Sequence, residues 1–171
     1  MNIFFLHTNP RRCARWHCDK HVVKMLLETC QLLYTCHWIV DGVTELPTAP
    51  LLKDGIQRGY KKSHWNHPCA KWLRMSLSSY IWLATLGQEL LREYNYRYPG
   101  RHHACGAHIE WLYMNRPQKL VERGWVEPLM AMPDIYKSGD PVASYRRYYI
   151  GDKSGFAKWT GRHRPHWFIS A

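Results

Sequence analysis

Apolar and polar positions along this chain recur mainly at the helical period. Ile3 to Leu6 is a short apolar run that reads as a strand. Asn9-Pro10 pairs a capping side chain with proline at the first helical position. Helical periodicity continues to about Trp38, with a second cap at Asp19. Residues 41–66 carry Gly, Pro and Asp without a sustained period. They predict a long connection of the kind that often borders a site. A second long helix is expected from Pro68 to about Tyr94, a third over roughly His103 to Met114, and a fourth from Asp140-Pro141 to about Tyr149. Residues 117–139 are irregular, 152–160 add a short helix, and the tail GRHRPHWF is basic and aromatic. With no repeat and no linker, the pattern predicts a mainly α fold. It is a single helical domain over residues 1–171 with a short N-terminal β element.

The first long helix carries the most informative pattern. At ~100° per residue, His17, Lys20, His21, Lys24, Glu28, Gln31 and Thr35 fall on about a third of its circumference. The rest is apolar, including Val22, Val23, Met25, Leu26, Leu27 and Leu33. A surface helix has the opposite proportions. A buried helix with a narrow polar stripe predicts a reaction site. Glu28 is the candidate base or stabiliser of positive charge, His21 an acid or base, and Lys20 or Lys24 a Schiff-base nucleophile; His17 joins them. Gln31 is expected to contact substrate. A weaker stripe on the second helix holds Lys71, Arg74, Ser78, Thr85, Glu89 and Arg92, read either as one wall of a cationic cleft or as an exposed face with intrahelical ion pairs. The turn Ser63-His64-Trp65-Asn66-His67-Pro68 precedes that helix. His64, Asn66 and His67 either meet phosphate there or cap the helix. Tyr145, Arg146 and Lys153 place the last helix on the expected binding surface.

Charge narrows the partner. Lys plus Arg number 24 against 13 Asp plus Glu, a net charge of +11, and the cations are interleaved with nine Trp and eleven Tyr. This composition excludes a disordered chain and favours a polyanion, nucleic acid or nucleotide, with DNA first. No stretch approaches the ~20 apolar residues of a membrane span. The N-terminal apolar run precedes its charges, the reverse of a signal peptide. A cytoplasmic protein with six reduced cysteines and no membrane partner is expected. Cys13, His17 and His21, and separately His102, His103, Cys105 and His108, have spacings a metal could use. Without HExxH or paired CxxC, no metal and no cofactor is expected.

The segments MNIFFL, CDKHVVKMLLETCQLL, NHPCAKWLR, EYNYRY, AMPDIYK, DPVASYRRYYIGDK and FAKW resemble a family of small proteins of tailed phages and large DNA viruses. The resemblance implies a viral or prophage setting, hence host cytoplasm. It marks Asp19, Lys20, His21, Lys24, Glu28, Asn66, His67, Pro68, Tyr145, Arg146 and Lys153 as motif positions. In kind, though not in sequence, the chain is similar to the phage pyrimidine-dimer glycosylases, small basic helical proteins that use an amine freed by removing Met1. Asn2 is large for that removal. The leading expectation is an enzyme acting on DNA or its nucleotides at the base or glycosidic bond. A non-enzymatic binder of nucleic acid or host protein, and a metal-dependent hydrolase built on the histidines, are the alternatives.

Overall fold

The computed structural model describes residues 1–169. Helix α1 (Pro10–Trp16) starts where the sequence places it, with Asn9 Oδ1 accepting the Arg12 N–H. It stops at His17, and α2 (Asp19–Val40) begins anew after Cys18. The second long helix is also divided: α3 (Pro68–Leu73) ends at Arg74, and Ser76 caps α4 (Leu77–Arg97). Helices α5 (Gly106–Met114) and α6 (Pro141–Lys153) follow, the latter capped by Asp140. Residues 41–66 form the expected long connection, with one isolated antiparallel bridge, Leu51 to Arg58.

The fold is all-α among the described residues, and the expected β element is absent. Residues 3–6 are nonetheless fully inside the core. They have no partner strand, so other groups satisfy their backbone. Asn2 Oδ1 accepts the Ile3 N–H, Cys13 Sγ donates to Phe4 O, and Arg146 Nε donates to Leu6 O. The apolar run is therefore a buried thread between helices, which a short apolar pattern alone does not distinguish from a strand.

Helix α4 packs against both α1 and α2 around this thread, with Tyr34, Trp72, Tyr80, Tyr145 and Tyr149 among the largest buried side chains. The C-terminal tail closes the core. Trp159 Nε1 donates to Trp16 O, and Phe168 packs on Trp159 at 4.8 Å between ring centres. Below it a buried ion network joins Glu93 and Arg97 of α4 to Asp19 and Arg162. The six cysteines are free and buried. No helix among the described residues is long and apolar enough to cross a membrane.

Candidate active site

The buried thread carries the start of the chain to Glu28. This carboxylate is 6% exposed, and its Oε2 accepts the Asn2 N–H at 2.6 Å. The α-amine of Met1 lies 3.9 Å from the same oxygen, and Lys24 Nζ lies 3.3 Å from Oε1. A buried carboxylate needs such partners, since an unpaired one would carry a desolvation cost of several kcal/mol. Asn2 is itself fixed from several sides. Its Nδ2 donates to Ala131 O, and its Oδ1 lies 3.2 Å from the Tyr145 hydroxyl and 3.5 Å from Cys69 Sγ. Tyr145, fully buried, also accepts the Ala131 N–H. Segments remote in sequence thus converge on one amide beside one carboxylate.

The site opens to solvent along α2. Lys24's side chain is 67% exposed, and Val23 and Leu27, placed by the pattern on the buried circumference, are each 38% exposed. Lys20 is exposed beside them, with its ammonium 4.8 Å from the Phe156 ring centre. Gln31 is half-buried further along. At the far end, Thr35 Oγ1 accepts the Ser63 N–H and donates to Ser63 O. The turn that follows runs back toward Glu28. His64 holds a positive φ of 46°, a left-handed conformation that costs a non-glycine residue about 1 kcal/mol, and its carbonyl accepts the His67 N–H. His67 caps α3 by accepting the Cys69 N–H, the capping role of the two expected for it. Burial and the Met1 ammonium push its pKa down and Glu28 pulls it back up, and the turn is tied to the site through Cys69, whose Sγ lies 3.5 Å from Asn2 Oδ1. Asn66 and Lys71 are exposed around this turn, and Arg74 Nη2 donates to Trp65 O.

Other expected residues lie elsewhere. The break at Cys18 takes His17 out of register with α2, and it is fully buried with Nδ1 2.7 Å from Cys13 O. His21 is stacked on Phe4 at 4.5 Å, with Nδ1 2.7 Å from the Tyr149 hydroxyl. Burial, first, and neighbouring cations push His21 down to about 3 and His17, beside Arg97, down to about 4, so both are neutral core groups near pH 7. Arg146 is half-buried. It lies over the Trp16 and Trp167 rings at 4.9 and 5.4 Å while bonding Leu6 O. Lys153 lies on Tyr148, 3.3 Å from its hydroxyl. The stripe of the second helix is divided at Arg74–Ser76, and Glu89 pairs with Arg92 within α4. Among the described residues no three His, Cys, Asp or Glu side chains converge as metal ligands. The Cys13, His17, His21 alignment is dissolved by the helix break.

The sequence reading left Met1 and Asn2 out of the site. The signal that could have found them is the Ile3–Leu6 run, because burying it draws the chain start inward. Residues 1–105 match the model of a family described as pyrimidine dimer DNA glycosylase. The match covers the thread, Glu28 and the turn before α3, so the likeness to these glycosylases is one of sequence as well as kind. Searches of curated proteins and of solved structures return no match.

Proposed function

The chain belongs to the pyrimidine dimer DNA glycosylase family and acts on DNA bases, and from that premise we propose that it removes a damaged pyrimidine by amine attack at the sugar. The observation that carries this reading is the chain's own amine beside the buried carboxylate of Glu28. The amine lone pair attacks C1′ of the damaged nucleotide. The C1′–N bond breaks, its electron pair leaves with the base, and the base takes up a proton. Glu28 accepts the proton shed by the amine and stabilises positive charge on the sugar. Opening of the sugar then gives a Schiff base between the amine and C1′. With Met1 retained the nucleophile is its α-amine; with Met1 removed it is the Asn2 nitrogen, already against Glu28.

Lys24 is the competing amine, 3.3 Å from Glu28. The α-amine is favoured because it is enclosed with the carboxylate, the Met1 side chain being 3% exposed against 67% for Lys24. The exposed cations Lys20, Lys24, Lys61, Lys62 and Lys71 are suited to the DNA phosphates. Borohydride reduction during turnover of duplex DNA carrying one cyclobutane pyrimidine dimer tests the assignment. A covalent adduct on the N-terminal peptide is expected. An adduct on the Lys24 peptide transfers the role to lysine, and turnover with no adduct refutes covalent amine catalysis.

A further inference from the structure

A glycosylase must reach an atom inside the base stack, so the duplex has to open at the damaged nucleotide and the interrupted stack has to be supported. The turn before α3 presents a side chain suited to that task. Ser63 is tied to Thr35 on α2 at one end, and at the other His67 caps Cys69, whose Sγ lies 3.5 Å from the Asn2 side chain that adjoins Glu28. Trp65 stands between these anchors, half exposed at 51%. Every other tryptophan of the chain has a ring partner or an indole N–H bond. Trp65 has neither among the described residues. Its backbone is nevertheless held, with Arg74 donating to its carbonyl at 2.8 Å and the His64 to His67 bond closing the turn. Exposed Lys61, Lys62, His64 and Asn66 flank it. A fixed backbone, a free indole face and surrounding cations are the parts of a base-stacking platform.

We propose that Trp65 inserts into the DNA duplex next to the nucleotide held at Glu28 and stacks on the neighbouring base. This rests on the glycosylase reading for the identity of the substrate, but not on the amine mechanism. Stacking of one base on an aromatic side chain corresponds to roughly 10- to 100-fold in affinity.

The test uses a duplex with one stable tetrahydrofuran abasic analogue, which has no base to cleave, and fluorescence anisotropy with the full chain. W65A is expected to weaken binding to this duplex by about 10-fold or more while changing binding to intact duplex by less than about 3-fold. W65F is expected to stay within about 3-fold of wild type on both. Equal effects of W65A on the two duplexes, or none, overturn the proposal. A wild-type measurement guards against misfolded variants: 5-iodouracil beside the abasic analogue should photocross-link to the peptide containing Trp65. A cross-link elsewhere, or none, also overturns it. If wild type fails to cleave dimer-containing DNA yet W65A shows the selective loss, the glycosylase reading fails and the stacking role stands. The reverse pattern rejects Trp65 alone.

Discussion

Glu28→Gln separates catalysis from structure because the environment of the carboxylate is unequal on its two sides. On the inner side Glu28 accepts the Asn2 N–H at 2.6 Å. A glutamine oxygen can still accept that bond, so the change is from a charge-assisted to a neutral hydrogen bond, about 1 kcal/mol. On the outer side Lys24 is 67% exposed, and an exposed pair contributes roughly 0.2–1 kcal/mol. Water solvates the Lys24 ammonium once the pair is gone, and the Met1 amine, 3.9 Å away, keeps the glutamine oxygen as a neutral partner. The sum is about 2 kcal/mol, or about 4–8 °C in Tm for a chain of 171 residues. Chemistry loses more. Removing the proton acceptor from the amine and the negative charge from beside the sugar should lower single-turnover cleavage by ~10²-fold or more. Calorimetry and cleavage of a single-dimer duplex on the same preparation check both numbers. Full cleavage activity in Glu28→Gln would refute the assignment of the site. A stability loss far above 2 kcal/mol would refute the partition between the two sides.

Acid should destabilise the fold through its buried histidines. An unfolded imidazole takes up a proton below about pH 6.5, whereas His17 and His21 do so only near 4 and 3 when folded. Between those values the unfolded state binds more protons, so stability is full above about pH 6.5 and falls by up to ~1.4 kcal/mol per pH unit for each residue as pH drops. Denaturant midpoints that stay flat from pH 7 to 4.5 would contradict the burial of both rings. Truncation after Thr160 removes Trp167 and Phe168 from the core, where losing even one large aromatic costs about 3–5 kcal/mol. Loss of cooperative thermal unfolding is expected, and a truncated protein that melts as wild type would show the tail to be peripheral.

Local chemistry was legible in the chain. Asn9-Pro10 and Asp140-Pro141 start helices because the capping oxygen and the proline act within one turn. The polar stripe likewise singled out Glu28, which the structure brings to the chain start. What a helical wheel does not hold is which neighbour covers which face. Val23 and Leu27 are exposed because α3, α4, α5 and the buried thread cover the other sides of α2. His21 shares the stripe with Glu28, yet its hydrogen bond goes to Tyr149, 128 residues away. Arg146 counted toward a cationic surface, but Trp16 and Trp167 cover its guanidinium. Residue counts establish how much charge a chain carries, and packing decides how much of it reaches solvent.

The convergence of Ala131 and Tyr145 on Asn2 also sets a timetable for synthesis. Asn2 is made before its partners and waits for residues made some 130 positions later. At ~5–20 residues per second this interval is roughly 7–30 s. Throughout it the chain start is open to the enzymes that trim methionine or acetylate α-amines, and acetylation would remove the amine's charge and lone pair. Once α6 docks, the same atoms are enclosed between Glu28 and Tyr145. On the amine mechanism proposed above, the chemical state of the amine is settled on the nascent chain, and cells that process nascent N-termini differently would yield preparations of identical fold and unequal activity.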